Sequence, residues 1–531
     1  MARKIPRALR IALPLAFFPC FYGLSAVGLI GPDEPRYASI AREMARSGDW
    51  ITPRLWGQPW FEKPPLLYWM SGIGFRLGLG PELAPRLPVA LMAVAFLIFY
   101  WWILNREFGC RAAWFATLIL GTCGGWLGFS QVGVTDLPMT ATFSAAMLLA
   151  LPWIATRDSR FLPAASALLG FAVLAKSGVP IVLALPAVWW GRPNAGARWP
   201  LTGSSSGQAH PNIADLGGPR VQGDPRGWPR GRPCPPHSLL VRAVLPFLVI
   251  AVPWHVLCYL RNGRIFPYTL FVQHQFQRFT SGALQHTQPW WYYLPVLIGL
   301  LLPWSPLLLL LARRRAFRDP RRQFLLAWVL FGLVFFSVAP NKLPGYVLPL
   351  LPAAAALMAL ALEEAAGAGY WLAGCALLLV AILIAAAMLP VAVVSGLFQT
   401  PRPVFQWIWL LPAAIAFMVW VLDRQSRRLA AVLSIAAGAT AGMVYVKRTV
   451  APELDRAASA RTLWRQIAGR PDQVCADNLK RDFRYGLNFY SDVPLPECGA
   501  RPMPLRVVQL PGMPPSVIPP LAPIAGTVDL H

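Results

Sequence analysis

Apolar runs long enough to cross a bilayer recur along this chain, and each leaves its backbone little choice. About 20 apolar residues suffice for an α-helix to span the hydrocarbon, where every backbone polar group must be bonded within the segment. Helices are expected near residues 11–30, 86–104, 112–130, 137–155, 161–175, 178–191, 239–259, 291–312, 323–339, 343–362, 369–396, 405–422 and 428–446. With 56% hydrophobic and 13% charged residues, the chain of 531 residues is too apolar for a water-soluble protein. The expected class is an all-α polytopic membrane protein of about thirteen transmembrane helices. Its basic start and first apolar run resemble a signal peptide, but the run has anchor length and no small-x-small cleavage site precedes the polar segment. An uncleaved first span is expected.

A net charge of +25 is compatible with a nucleic-acid partner only if the basic residues share a face. Here they sit in short clusters between apolar runs, which is the positive-inside pattern, and no nucleic-acid partner is expected. With Arg3, Lys4, Arg7 and Arg10 inside, alternation of the spans places "NREFGCR", "TRDSR", the Arg-rich segment 192–238, "RRRAFRDPRR" and "DRQSRR" inside as well. Outside fall loop 31–85, the turn at Asp136, Lys176, loop 260–290, the turn "NKLPGY" and a tail from about 447. A topology built from basic clusters and hydropathy thus gathers nearly all the unusual polar residues on the opposite face.

The organisation follows: a transmembrane domain over 1–446, with outer loop 31–85, and a small outer domain over 447–531. In "DEPRYASIAREMARSG", Tyr37, Ile40, Ala41 and Met44 recur at helical spacing and Gly48 stops the run, which predicts an amphipathic helix on the outer membrane surface. Segment 192–238, rich in Gly, Pro and Arg, reads as a disordered inner loop. The tail reads as α/β, with a helix in "ELDRAASARTLWRQIAG", strands at "DQVCAD" and "LRVVQL" and an aromatic stretch "RYGLNFYSDVPL" between them. Cys475 and Cys498 fall there, where a disulfide would contribute about 3 kcal/mol.

Several outer residues suit chemistry, and each has a plainer explanation. Asp33 stands where a helix N-cap would, followed by Glu34, Pro35 and Arg36; Asp136 stands similarly between two spans. Glu62 and Lys63, adjacent in "WGQPWFEKPPLLYW", point to opposite sides of an extended segment unless they simply pair or snorkel. His274, Arg278 and His286 share one loop, without the tight spacing of a closed metal site. Lys342 and Tyr346 flank a turn that Pro344 and Gly345 already explain. Collectively these residues offer two acidic sites, phosphate-binding cations (Arg36, Lys63, Arg278, Lys342) and a candidate metal pair (Glu62, His274). A carboxylate base beside phosphate-binding cations at a membrane surface suits group transfer from a lipid-linked phosphate.

The blocks "DEPRYASIAREMARSGDWITPRLWGQPWFEKPPLLYW", "TDLPMT", "HQFQRF…HTQPWWYYLP" and "NKLPGYVLPLLP" closely resemble the bacterial family-39 glycosyltransferases of the GT-C fold, relatives of the lipid A aminoarabinose transferase and, more distantly, of protein O-mannosyltransferases. The resemblance covers most of residues 1–360 in order. It implies inverting transfer of a sugar from a polyprenyl-phosphate donor to a lipid, glycan or protein acceptor at the outer face of the bacterial inner membrane, by a monomer and without a nucleotide cofactor. Asp33 would be the base, assisted by Asp136. Glu34, Arg36, Tyr37, Lys63 and Arg278 would bind substrate, and Lys342 and Tyr346 would sit on a loop closing over the donor. Glu62 and His274 would match a zinc-like divalent site. Two departures stand out: Ser177 replaces the Gly that usually follows the lysine at 176, which sets Lys176 aside as a substrate group, and the 192–238 insertion is longer than the family's loop.

A transporter or lipid flippase is the competing reading, but it favours mid-membrane charges, broken helices and internal repeats, and no repeat is visible. A non-catalytic scaffold leaves the charged outer loops unexplained.

Overall fold

The computed structural model describes residues 7–190, 236–277, 288–312, 319–395, 403–510 and 513–518. Most of loop 192–238, with Arg278 and His286, lies outside the described residues. Among the described residues, eight helices are long and apolar enough to cross a membrane: Leu83–Phe108, Asp136–Thr156, Val241–Asn262, Pro320–Val338, Pro344–Glu364, Gly369–Leu389, Trp407–Arg424 and Arg428–Thr449. Two bent pairs raise the number to ten. The other three expected spans are also helical but short. Arg7–Phe21, for example, has 15 residues, a rise of about 22 Å against ~30 Å of hydrocarbon. The count of thirteen is therefore not reached by this measure.

The bent pairs position the site. Cys110–Thr122 and Gly124–Ser130 meet at 59°, because Cys123 between them is extended. Trp290–Leu300 and Ser305–Ala312 meet at 114°. The two breaks face each other: the Gly124 N–H, freed by one, donates to the Leu302 carbonyl, freed by the other, at 2.8 Å. Broken helices inside a membrane protein need such mutual satisfaction. Around them pack fully buried Trp126, Trp304, Trp328 and Tyr100, with the Trp304 indole donating to Thr122 Oγ1 at 3.0 Å.

Loop 31–85 is folded throughout. Its first helix, Asp33–Ser47, ends as expected at Gly48, whose left-handed backbone (φ 74°) lets its N–H reach the Met44 carbonyl. Tyr37, Ile40, Ala41 and Met44 form a buried face, but Glu34, Arg36, Ala38 and Ser39 are buried too. The helix is enclosed by Leu66–Arg76 on one side and by Arg481–Tyr490 from the tail on the other, so it does not lie with a polar face open along its length. A tight hairpin, Arg54–Leu55 with Gln58–Pro59, turns through Trp56 and Gly57, both at positive φ.

The tail holds the two expected strands, Val474–Asp477 and Leu505–Val508, paired in parallel, with a third, Ser516–Ile518, antiparallel to the second. Cys475 and Cys498 are disulfide-bonded. The aromatic stretch is a helix, Arg481–Tyr490, burying Phe483, Leu487 and Phe489. The tail is stitched to the start of the chain, since the Gly28 N–H donates to Asp455 (2.7 Å) and the Leu29 N–H to the Tyr490 hydroxyl (3.1 Å).

Candidate active site

Asp33 and Asp136 are each the first residue of a helix, and in neither case does the side chain cap it: the N-cap positions are Pro32 and Thr135, without side-chain bonds. The positive helix end favours a carboxylate at both places. Each aspartate is instead tethered to a cation. Arg36 Nη2 lies 2.5 Å from Asp33 Oδ1, and Lys176 Nζ lies 2.6 Å from Asp136 Oδ1. Both carboxylates open into one cavity of about 430 Å³, whose wall also includes Tyr37, Lys63, Lys176 and Tyr346. Gly124, Gly125 and Gly128 from the first helix break and Leu300 from the second supply an apolar side. The backbone comes close here. A Cβ on Gly345 would stand 2.6 Å from Asp136 Oδ1, so only glycine lets the turn pack against that carboxylate.

Arg36 is buried, with 4% of its side chain exposed against 45% for Asp33. Its Nη2 also reaches Glu62 Oε2 at 2.9 Å, and its guanidinium lies over the rings of Tyr37, Trp60 and Tyr485 at 5.3, 5.9 and 5.4 Å. Burial works against the Arg36 charge, but Glu62 and Asp33 more than offset it and its pKa is raised. Burial, reinforced by Glu62, raises the pKa of Tyr37 and Tyr68 far above the phenol range, so both stay neutral.

The structure thus redistributes the expected substrate groups. Asp33, Asp136, Tyr37, Lys63 and Tyr346 share the cavity, as the sequence led us to expect. Arg36 does not line it: its Nη2 meets two carboxylates and its guanidinium lies over three rings, while its buried Nε has no hydrogen-bond partner among the described residues. Glu34 is fully buried and fully engaged. It accepts from Arg86 Nε and Nη2 at 2.6 and 2.7 Å and from the Ile30 and Gly133 N–H groups at 3.0 and 2.8 Å, which leaves no lone pair for a substrate. Lys342 turns away to the Ala339 and Gln288 carbonyls at 2.6 and 3.0 Å. Arg278 lies outside the described residues.

Lys176, set aside on sequence, belongs to the site. Besides Asp136, its ammonium lies 4.9 Å from the Tyr346 ring centre. Ser177 after it holds φ 56°, ψ −137°, a conformation suited to glycine. The lysine therefore keeps its place although the glycine is gone. Tyr485 and the helix bearing it were missed; the signal was there in Phe483, Leu487 and Tyr490 at helical spacing.

Glu62 and His274 are the expected metal pair. Glu62 meets two cations, Arg36 and, at 3.7 Å, Lys63, and among the described residues no three His, Cys, Asp or Glu groups gather to hold an ion. His274 lies on the π-helical segment Tyr268–Phe276.

Residues 62–191 match the family described as dolichyl-phosphate-mannose-protein mannosyltransferase. The chain is 31% identical to the undecaprenyl phosphate-alpha-4-amino-4-deoxy-L-arabinose arabinosyl transferase of Aeromonas hydrophila over 66% of its own length, and 31% identical to that of Pseudomonas aeruginosa over the same share. It spans 59% of the length of these curated relatives. In three dimensions it is similar to ArnT from Cupriavidus metallidurans bound to undecaprenyl phosphate, with a TM-score of 0.68 and 28% identity, covering 95% of this chain and 86% of that one. Agreement over nearly the whole chain at that identity establishes the shared GT-C fold.

Proposed function

We propose that this chain, a GT-C membrane protein of the aminoarabinose-transferase type, moves a sugar from a polyprenyl-phosphate donor to an acceptor hydroxyl or phosphate. One observation carries the reading: a single cavity joins two cation-tethered aspartates and two lysines to an apolar wall. Its size suits a small-molecule site, for which volumes run from about 300 to 1,000 Å³.

Asp33, exposed to the cavity, takes the acceptor proton while the acceptor oxygen attacks the sugar C1. The C1–O bond breaks on the opposite side, its electron pair leaves with the carrier phosphate, and the configuration at C1 inverts. Lys63 faces the charge that this phosphate gains, and Lys176, held by Asp136 and Tyr346, supports it from the other wall. Arg36 takes no part in bond changes; it fixes the carboxylate that does. Glu62 completes the tether through its ion pair with Arg36. The acceptor is a lipid of the lipid A kind, a glycan or a protein, and the site faces the periplasm of the inner membrane. The distribution of basic clusters supports that orientation.

The test is sugar transfer from radiolabelled polyprenyl-phosphate sugars in membranes carrying wild type or Asp33→Asn. Loss of a general base predicts a fall of about 10²–10⁴-fold, with the variant still made and inserted. Equal transfer by the two proteins would remove Asp33 from the chemistry.

A further inference from the structure

Behind the helix that begins at Asp33 lies a second cavity, of about 620 Å³, between that helix and the tail. Its wall is strongly and unevenly charged. Arg461 is neutralised by Asp455 at 2.9 Å and by Glu82 at 3.4 Å. The other three arginines have a single carboxylate among them: Arg42 and Arg46 both pair with Asp492, while Arg465 is exposed and forms no ion pair with a described residue. Phe75, Pro81, Trp464 and Tyr490 provide an apolar and aromatic lining beside these charges. Arg42 shows the imbalance. Burial pulls its pKa down to about 10, Arg46 adds to the pull, and Asp492 only partly opposes it.

This cavity is built differently from the reaction cavity, since its cations are four arginines and it has no lysine. Arg42, Arg46 and Asp492 also border an adjoining hollow of about 550 Å³ that runs to Trp56. Trp56 stacks on Tyr485 at 5.6 Å, and Tyr485 covers Arg36. A chain of ring contacts therefore leads from the edge of that hollow to the tether of the base. Along the helix, Arg42 and Arg46 follow Asp33 by about 14 and 20 Å, a reach suited to two parts of one large amphiphile.

We infer that the Arg42, Arg46 and Arg465 cavity binds the phosphate of an amphiphilic molecule, and that this molecule is the acceptor. Guanidinium groups suit phosphate oxygens through paired hydrogen bonds, and the aromatic lining suits the attached apolar body. Only the acceptor assignment rests on the transfer reading; the binding does not.

The probe is monododecyl phosphate, titrated calorimetrically into purified protein in a nonionic detergent, with dodecanol and inorganic phosphate as controls. Wild type should take up two equivalents. Arg46→Ala/Arg465→Ala, at exposed positions, should weaken one of them at least tenfold, and Lys63→Ala should weaken the other. Two unchanged equivalents in the arginine variant would overturn the site. Inorganic phosphate binding as tightly as the amphiphile would overturn the amphiphilic ligand and leave a plain anion site. If Lys63→Ala keeps both equivalents, the failure belongs to the reaction cavity and not to this one. In the transfer assay, the arginine variant should raise the KM of a phosphate-bearing acceptor about tenfold, with kcat and donor KM unchanged and a phosphatase-treated acceptor indifferent. An effect on donor KM alone would overturn the acceptor assignment.

Discussion

Replacing Glu34 by glutamine separates two roles that the sequence leaves together. Glu34 is wholly buried and receives both an edge of the Arg86 guanidinium and two backbone N–H groups. Arg86 is nearly as buried, and its remaining hydrogens go to the Leu24, Val27 and Gly28 carbonyls at 2.7, 2.5 and 2.8 Å. Glutamine keeps the shape but removes the countercharge and sets an NH₂ donor against donors. Breaking a buried pair by changing one partner costs about 3–5 kcal/mol. The three carbonyls soften the loss for Arg86, so the lower end, about 3 kcal/mol, is expected, or about two decades in an unfolding equilibrium. Membrane proteins of this size unfold irreversibly, and the practical assay is the rate of thermal inactivation in detergent. Glu34→Gln should inactivate on the order of 100-fold faster, with unchanged KM values in the protein that survives. Changing both partners, as in Glu34→Leu/Arg86→Met, should restore part of the loss. Normal thermal resistance with a raised donor KM would refute the argument and make Glu34 a substrate ligand after all.

Ser177→Gly should slow inactivation, because a non-glycine residue in that backbone region stores about 1–3 kcal/mol, and glycine's greater freedom when unfolded returns only part of it; faster inactivation would contradict the strain. Gly345→Ala should push Asp136 away from Lys176, forfeiting a charge-assisted bond of about 1.5–3 kcal/mol and about 10–100-fold in kcat/KM. Gly128→Ala, whose Cβ would meet nothing within 4 Å, is the control for added volume and should lose far less. Metal analysis of wild type, Glu62→Ala and His274→Ala should give the same substoichiometric content; a stoichiometric ion lost in both variants would restore the metal pair.

Much of the site was legible because its residues sit where short motifs meet span ends. Asp33, Asp136, Lys63 and Tyr346 could be placed on one face by counting crossings, without any knowledge of distances. What pairs with what could not be read in that way. Arg86 lies in an apolar helix 52 residues beyond Glu34, and nothing in the local pattern links them. Lys176 was discounted because its neighbour broke a motif, although the backbone tolerates serine there. The broken helices, which on sequence would have argued for a transporter, were hidden within apolar runs where glycine and proline are common. The tail helix shows its apolar spacing in Phe483, Leu487 and Tyr490, but nothing local links Tyr485 to the Arg36 it covers.

That covering has a consequence for the order in which the protein is made. Asp33 and Arg36 leave the ribosome early, but Tyr485, which lies over the guanidinium, follows some 450 residues later. At about 5–20 residues per second the interval is about 20–90 s. During it the tether is open on one side and the segment around Gly28 lacks the partners it later finds in Asp455 and Tyr490. A nascent or truncated chain therefore carries the charged residues of the site without their enclosure. Only a chain read through to the tail can make the contacts that cover the tether and hold the segment around Gly28.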